Sequence, residues 1–449
     1  NLREGQVVGM DGSVMSVSIA EGLERAIQEI GGSCELRYDL LAEIWPDRPS
    51  IPSTTPYQHP LEFVGAEKTK KLGQLQHVLR KEGLAHYLVI GLDEIAWLLN
   101  IRAADVAYNP LCLSYLLVQP TGAVWFVGVH RVPDDLKALL KEAGVQLADY
   151  QDLPAELMRI NATDEPIGMD TQMASVAVYQ AAGGPRVQKI QSPISTWKAI
   201  KGAKEVDHYY RAMARDGVAL LRLRRWLTAE AAPKGKSEAE IGDKLASFRA
   251  EQDFYHGESF PAIVGYRSNG AIVHYRAQPE TCANIAPSGL LLLDSGGQYF
   301  DGTTDITRTF SLGNPSVVAK LHFTLVLKGH IDLAMAKFPK GTTGVQLDTL
   351  ARRPLWEHQL NYGHGTGHGV GYFLNVHEGP MGISPNPKAG TAQVPLQAGM
   401  VLSNEPGYYQ TGEYGIRIEN LVLVKEEKEG WLYFETLSLF PIERELINV

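Results

Sequence analysis

The alternation of apolar and polar positions divides the chain into stretches of different character. Residues 1–56 hold a short apolar run, QVVGMDG, and a helical pattern, SVSIAEGLERAIQEIG. A capping box from Ser18 to Glu21 is expected to begin that helix, and Gly31 to end it. The segment PDRPSIPSTTPYQHP follows, with five prolines in fifteen residues. Because proline fixes φ and restricts the residue before it, this segment predicts an extended connector and a domain boundary.

Strand-like and helical patterns alternate between residues 57 and 200. EKTKKLGQLQHVLRKEG has the 3.6-residue period of a helix, whereas HYLVIGL, SYLLVQP and AVWFVG are typical of buried strands. The alternation predicts an α/β domain. Beyond it, a helical pattern runs from Ala203 to about Ala231, and SEAEIGDKLASFRAE predicts a second helix with Ser237 and Glu240 as its capping box.

From residue 260 onward the pattern indicates short strands separated by Gly-rich turns, and acidic residues stand at their ends. The apolar run Leu290–Leu293 ends at Asp294, and Asp305 follows after turn-forming sequence. This spacing predicts an antiparallel hairpin with the two aspartates side by side at its base. A carboxylate that follows four buried leucines needs a partner, because burying an unpaired charge is costly.

Two further carboxylates repeat this placement downstream. AGMVLSNEPGYY predicts a strand that ends at Glu405. YGIRIENLVLV predicts one alternating strand, with Ile416 and Ile418 on one face and Arg417 and Glu419 on the other. An inward glutamate beside Arg417 could be a simple ion pair, and a lone aspartate could be a turn cap.

The four carboxylates together favour a metal site over those simpler readings. If they converge, their mutual repulsion disfavours a site without cations, and two divalent ions would offset it. The segment NYGHGTGHGVGYFLNVHEGP, residues 361–380, supplies His368 as a nitrogen ligand. Such an oxygen-rich set with one imidazole suits Mn²⁺, Mg²⁺, Co²⁺ or Zn²⁺. The glycines are expected to let this loop lie close to metal and substrate.

Composition and charge narrow the function classes. The 449 residues carry a formal net charge of -9, which argues against a general nucleic-acid or anionic-membrane surface. The three cysteines are far apart and form no CxxC pattern, which suggests a reducing compartment. No apolar run reaches membrane-spanning length. The start at Asn1 lacks a signal-peptide pattern and an initiator Met, and we expect further chain ahead of it.

These motifs, in this order, resemble the metallo-aminopeptidases of the pita-bread fold, which include methionine aminopeptidase, prolidase and aminopeptidase P. The segments NGAIVHY, DGTTDITRT, GHGTGHGVG, SNEPGYY and GIRIEN are similar to the Xaa-Pro aminopeptidase branch, in its long three-domain cytosolic form. LDEIAWLLNIR and IWPDRPSIP also resemble that form. The resemblance covers the whole chain and implies that most of a first domain is missing before Asn1.

The resemblance implies a fold class and domain limits. A creatinase-like α/β domain is expected at 57–200, after a remnant of a first α/β domain and a Pro-rich linker at 1–56. A pita-bread catalytic domain, a curved antiparallel sheet flanked by helices, is expected at 201–449.

The resemblance also assigns roles. Asp294 would bind one metal ion, His368 and Glu405 the other, while Asp305 and Glu419 would bridge. A hydroxide held by both metals would attack the scissile carbonyl, with Glu405 accepting the proton of the attacking water. The substrate-side and supporting residues implied are His274, His364, His377, Tyr409 and Arg417.

The implied reaction is hydrolysis of the N-terminal Xaa-Pro bond of peptides by an enzyme that binds two divalent ions. Mn²⁺ is the preferred ion, and Co²⁺ and Zn²⁺ are alternatives. The resemblance also implies a homodimer, with no nucleic-acid or membrane partner. Alternatives are a prolidase restricted to dipeptides and a non-catalytic binding protein on the same fold. A metal-free creatinase-like hydrolase is less favoured, because all five ligand positions are filled. Tyr266 and Arg267 stand where relatives often have smaller residues, which leaves the substrate-side loop open.

Overall fold

The computed structural model describes residues 2–37, 39 and 41–448. The chain forms two compact units. The first comprises the residues up to His59 together with Ala66–Ile194, and the second comprises Pro60–Gly65 and the residues from Ser195 onward. Within the described residues, no helix is both long and apolar enough to cross a membrane.

The first unit is built around a six-stranded mixed sheet. Its elements are β1 Val7–Asp11, α1 Val17–Gln28, β2 Ser33–Arg37, β3 Tyr57–Gln58, α2 Lys68–Glu82, β4 His86–Val89, α3 Leu92–Leu99, β5 Ile101–Arg102, β6 Tyr115–Gln119, β7 Gly122–Phe126, α4 Asp134–Glu142, β8 Val145–Ala148, α5 Leu153–Thr163, β9 Ile167–Met169, α6 Val176–Ala181 and β10 Gln188–Lys189. The sheet order is β10-β9-β4-β6-β7-β8, while β1 and β2 form a separate parallel pair.

The predicted strands and helix between residues 57 and 200 are confirmed, since HYLVIGL, SYLLVQP and AVWFVG contain β4, β6 and β7 and residues 68–82 are α2. The capping box at Ser18 is wrong. The N-cap of α1 is Ser16, whose hydroxyl accepts from the Ile19 amide. The amides of Val17 and Ser18 bond instead to the carbonyls of Ala174 and Thr171, so a distant segment determines where the helix begins.

The second unit combines antiparallel sheets with long helices. Its elements are α7 Ile194–Ala199, which begins one residue before it, α8 Ala203–Trp226, α9 Ala232–Lys234, α10 Glu238–Ala250, β11 Tyr255–Glu258, β12 Ile263–Tyr266, β13 Leu290–Ser295, β14 Gly297–Tyr299, β15 Gly302–Thr303, β16 Ile306–Ser311, α11 Val317–Ala334, β17 Lys337–Pro339, α12 Gly344–Trp356, β18 Gly367–His368, β19 Gly382–Ile383, β20 Val401–Asn404, β21 Gly407–Gln410, β22 Tyr414–Arg417, β23 Asn420–Lys428 and β24 Trp431–Thr436. A π-helical turn, Leu227–Ala231, joins α8 to α9.

Two antiparallel sheets carry the core of this unit, in the orders β12-β13-β16 and β17-β24-β23-β20. Leu291 and Leu293 of β13 pack against Leu223 of α8 and Ile241 of α10. On the second sheet, Val422 packs with residues of α11 and α12. Burying each leucine stabilises the fold by about 1.5–3 kcal/mol, so the apolar run that ends at Asp294 fixes where the strand lies. The capping box of Ser237 and Glu240 is confirmed.

Two expectations for this unit are wrong. The single strand predicted in YGIRIENLVLV is broken into β22 and β23, because the Ile418 amide bonds to the Pro406 carbonyl and the Glu419 amide to the Thr307 carbonyl. The region after residue 260 also contains α11 and α12, which were not predicted. Apolar residues occur on nearly every face of α11, so its sequence shows little helical periodicity.

Candidate metal centre

The hairpin predicted around Asp294 and Asp305 is confirmed, but the aspartates are not directly opposite each other. In the antiparallel pair of β13 and β16, Asp294 is opposite Thr307 and Ser295 is opposite Ile306. Asp305 therefore precedes β16 on the same face, diagonal to Asp294. A second, smaller hairpin, β14 and β15, occupies the intervening turn. Both carboxylates are buried, with side-chain exposures of 11% for Asp294 and 4% for Asp305.

The two glutamates lie next to the ends of neighbouring strands. Glu405 directly follows β20, as predicted, and Glu419 occupies the break between β22 and β23. Asn404 and Asn420, the last residue of β20 and the first of β23, are paired, so the two glutamates emerge at one edge. The Thr307 hydroxyl donates to Glu419 Oε2 at 2.7 Å, and the Ser403 hydroxyl donates to Glu405 Oε1 at 3.0 Å.

His368 completes this group from the Gly-rich loop. Its Nδ1–H donates to the carbonyl of Gly369 at 3.0 Å, which leaves Nε2 toward the carboxylates. Nε2 lies 3.4 Å from Asp305 Oδ2 and 3.5 Å from Glu405 Oε1. At Gly367 a Cβ would lie 2.0 Å from the carbonyl oxygen of Ser403, so glycine there admits a neighbouring strand.

The donor set fits divalent metal ions. One ligand atom from each of Asp305, His368 and Glu419 can be chosen so that all lie within 4.8 Å of one another. Among the described residues, Asp294 Oδ1 is buried without a hydrogen-bond partner, while Oδ2 accepts from Arg417 at 2.7 Å. A buried carboxylate oxygen without a donor is costly, and a cation would satisfy it. Carboxylates with one imidazole suit hard to borderline ions.

The shifted pKa values of the ligand residues indicate that bound cations would stabilise this site. Burial raises the pKa of Asp305 to about 6 and that of Glu405 to about 7, against the lowering influence of His368. Burial and the charges of the other carboxylates raise the pKa of Glu419 well above its ordinary value. Burial alone would lower the pKa of His368, but Asp305 and Glu405 raise it to about 9. Divalent cations would relieve this repulsion.

A cavity of about 500 Å³ opens over these ligands. It is lined by nine of the ten predicted site residues: His274, Asp294, Asp305, His364, His368, His377, Glu405, Arg417 and Glu419. Tyr409 is not part of the lining. Tyr266 and Arg267 do not line it either, since the Tyr266 hydroxyl and the Arg267 guanidinium both bond to Ser288.

His364, Tyr409 and Arg417 form a hydrogen-bonded chain beside the ligands. Arg417 Nη1 donates to the Tyr409 hydroxyl at 2.7 Å, and that hydroxyl lies 2.8 Å from His364 Nε2. Because His364 Nδ1 bonds to the Gly365 carbonyl at 2.7 Å and carries the proton, Nε2 accepts from Tyr409. Burial lowers the pKa of His364 to about 4, so the ring is neutral at pH 7. Both of its nitrogens are therefore engaged.

The other two histidines are placed differently. The His377 ring lies 4.2 Å from that of His368, centroid to centroid, in an edge-on arrangement. Burial, with the charge of His368 second, lowers the pKa of His377 to about 4. Within the described part of the chain, neither His274 nor His377 makes a hydrogen bond with its ring, so their nitrogens are available to a bound peptide.

Sequence reasoning missed His330, a buried histidine of α11. Its Nδ1 donates to the Asn404 carbonyl at 3.1 Å, and its Nε2 accepts from Asn420 Nδ2 at 3.0 Å. His330 thereby joins the residue before Glu405 to the residue after Glu419. A lone histidine in an apolar run gives no signal of this role, because both partners lie far along the chain.

His330 makes a prediction for pH dependence. Burial, with the charge of Arg308 second, lowers its pKa to about 3. An unfolded histidine gains a proton below pH 6.5 while His330 stays neutral, so the free energy of unfolding falls as pH falls. Between pH 7 and pH 5 the native protein should lose about 2 kcal/mol more than His330→Gln, measured by urea unfolding. Equal losses in the two proteins would contradict a neutral, buried His330.

Comparison with known proteins identifies the family of the chain. Residues 207–426 match the model of metallopeptidase family M24, and residues 47–205 match the creatinase/prolidase N-terminal domain. A Sordaria macrospora protein named probable Xaa-Pro aminopeptidase P is 40% identical, over 99% of this chain and 75% of its own length. A Penicillium rubens protein of the same name is 39% identical, with the same coverage. The chain thus spans about three quarters of these relatives.

Solved structures give the same result for the fold. The X-prolyl aminopeptidase of Caenorhabditis elegans superposes with a TM-score of 0.93 at 34% identity, over 100% of this chain and 74% of that one. The Xaa-Pro dipeptidase of Bacillus anthracis, with a TM-score of 0.67 at 22% identity, over 84% of this chain and 99% of that one, shares the fold. The expected fold class, a creatinase-like α/β domain followed by a pita-bread domain, is confirmed. The chain belongs to the Xaa-Pro aminopeptidase P family, within metallopeptidase family M24.

Proposed function

We propose that this chain hydrolyses the N-terminal Xaa-Pro bond of peptides and releases the first amino acid. The observation that carries the proposal is the convergence of five proposed metal ligands and three further histidines in one cavity. Relatives over nearly the whole chain are named Xaa-Pro aminopeptidase P, and the C. elegans enzyme is described as having a di-nuclear active site. An assay of Xaa-Pro-Xaa peptides beside elemental analysis of the purified protein tests it. Cleavage of dipeptides alone would favour a prolidase instead.

For the ligands, we propose that Asp294 holds one divalent ion, that His368 and Glu405 hold the other, and that Asp305 and Glu419 bridge the two. Asp305 Oδ2 and Glu405 Oε1 lie 3.4 Å and 3.5 Å from His368 Nε2, which supports a shared ion at these three residues. We favour Mn²⁺, with Co²⁺ and Zn²⁺ as alternatives, because the donor set is rich in oxygen. Metal content after reconstitution with each ion measures the preference.

Different residues of the cavity have different roles in the proposed reaction. Bound divalent ions polarise the scissile carbonyl and lower the pKa of water. Glu405 accepts the proton of the attacking water, with its carboxylate oriented by the Ser403 hydroxyl. Arg417 holds Asp294 and Tyr409 in place. His274 and His377 offer ring N–H groups to the tetrahedral intermediate or to the leaving nitrogen.

Substitution of the cavity histidines should distinguish the metal ligand from the substrate-side residues. His364→Ala and His377→Ala should lower kcat at least about 100-fold, because a positioned acid–base or hydrogen-bonding group is lost. Both variants should keep their metal content, whereas His368→Ala should lose metal. His358→Ala, an exposed position in the same unit, is the matched control. Equal metal loss in all three cavity variants would contradict the division.

We propose the domain limits 57–200 and 201–449, preceded by the remnant and linker at 1–56. The two family matches and the two compact units support limits near these positions. Proteinase K should cut first at residues 46–51, which are exposed. Residues just beyond are held, since the Thr54 carbonyl accepts from Arg131 and its hydroxyl donates to Asp105. First cleavage inside 260–420 would count against these limits.

We also propose a homodimer in the cytoplasm that acts on peptides with proline in second position and has no nucleic-acid or membrane partner. The relative from C. elegans is described as cytosolic, which supports the compartment. The dimer rests on the family resemblance. Sedimentation equilibrium of the purified protein tests the dimer, and fractionation of cells that produce the protein tests the compartment.

A further inference from the structure

A fully buried carboxylate outside the metal centre lies behind one wall of the cavity. Glu238 is the first residue of α10 and has 0% exposure. Within the described chain it forms no ion pair, so neutral donors and the helix N-terminus must satisfy its charge.

Glu238 accepts hydrogen bonds from four groups in one segment of the chain, residues 266–283. Oε1 accepts from the Tyr266 amide at 2.6 Å and from Asn269 Nδ2 at 3.0 Å. Oε2 accepts from Asn269 Nδ2 at 3.0 Å, from the Tyr275 hydroxyl at 2.8 Å and from the Ala283 amide at 2.8 Å. Both ends and the middle of the segment therefore meet at a single carboxylate.

The segment contains little regular structure of its own. After the end of β12 at Tyr266, its one regular element is a short 3-10 turn, Arg267–Ala271. His274 lies immediately before Tyr275, and both line the cavity. Burial, and then the hydrogen bond to Glu238, raises the pKa of Tyr275, so its hydroxyl stays protonated and donates.

The opposite side of the segment is also fixed. A Cβ on Gly415 would lie 1.7 Å from the carbonyl oxygen of Gly270, so the turn lies directly against β22. That strand ends at Arg417, which holds Asp294. The segment that carries His274 thus contacts the Glu238 carboxylate and, at Gly270, a strand that leads into the metal centre.

We propose that Glu238 is a positioning residue that acts through the Tyr275 hydroxyl to fix the backbone of His274 against the bound peptide. The proposal rests on the proposed function, in which His274 contacts the peptide. Glu238 itself touches neither substrate nor metal ligands. Misplacing a catalytic group by about 1 Å can lower a rate 100-fold. Loss of the hydrogen bond between Tyr275 and Glu238 should therefore lower the rate of cleavage without altering the metal ligands.

The test is a double-mutant cycle. Tyr275→Phe removes only the hydroxyl and should lower kcat for an Xaa-Pro-Xaa peptide at least about 10-fold, with metal content unchanged. In the His274→Ala background the same substitution should have no further effect, because the group that it positions is gone. Tyr255→Phe is the matched control, since the Tyr255 hydroxyl donates to Glu258 at 2.7 Å and this residue does not line the cavity.

Hydrogen exchange supplies a readout that does not depend on activity. Amide exchange in residues 266–283 should be faster in Tyr275→Phe than in the native protein and in Tyr255→Phe. Unchanged exchange there, or an equal loss of kcat in both backgrounds, would overturn the positioning role. If the native protein does not cleave the peptide, the proposed function fails, while the exchange experiment still decides whether the Tyr275 hydroxyl holds the segment.

Discussion

Asp305→Asn should lose both metal ions and lower kcat/KM by at least about 1,000-fold, because this carboxylate is proposed to bridge the two ions. The substitution keeps the shape of the side chain but removes the negative charge. Asp305 is 3% exposed, and its Oδ2 lies 3.4 Å from His368 Nε2, so the substitution removes a charge from within the ligand set. Glu419→Gln should behave in the same way. Elemental analysis and peptide cleavage, measured on the same sample, check both.

Two comparisons make this result specific. Asp294→Asn should lose one ion and keep the other, since Asp294 is proposed to hold a single ion. Asp332→Asn, an exposed position on α11, should keep both ions and full activity. Chelation of the native protein should abolish activity and lower the melting temperature, because buried carboxylates then repel one another. Full metal content and activity in Asp305→Asn would exclude the bridging role.

Two of the metal ligands, Asp294 and Glu405, could be predicted because each stands where a strong local pattern ends. The apolar run before Asp294 and the strand before Glu405 are recognisable from sequence, and both strands form as expected. The path between Ile418 and Glu419 was not predictable in this way. Its break depends on bonds to Pro406 and Thr307, which are far from it in sequence.

The supporting residues show the same limit. Tyr409 and Arg417 could be named as supporting residues from the family resemblance, but their order in a chain leading to His364 emerges only from three-dimensional contacts. His330 and Glu238 could not be named at all. His330 lies in a helix that the sequence pattern did not predict, and Glu238 lies in a helix whose sequence predicts only its cap and its period. Each contacts segments that are distant in sequence. Local sequence patterns predict where a charged residue follows a buried strand. The groups that orient its side chain are brought together only by tertiary packing.

Preference for proline follows from the chemistry of its peptide bond. An Xaa-Pro bond is a tertiary amide, which has no N–H, and its proline φ is fixed. The cavity lining includes the apolar residues Phe260, Pro261 and Ile263, which suit a pyrrolidine ring. An alanine in the same place would bring an N–H into the cavity and leave the ring contacts unfilled. An unpaired buried donor costs about 1–3 kcal/mol, and lost apolar burial adds to it.

We therefore expect kcat/KM for an Xaa-Pro-Xaa peptide to exceed that of the matched Xaa-Ala-Xaa peptide by about 100-fold or more. The leaving nitrogen of proline must receive a proton, and the proton that Glu405 takes from the attacking water can supply it. His274 and His377 line the cavity and can donate hydrogen bonds to the bound peptide. Loss of either should thus lower turnover of the proline peptide with little effect on metal content. Measurement of both peptides at identical metal loading checks the preference. Equal values would indicate a general aminopeptidase and leave only the fold and the metal centre in common with the family.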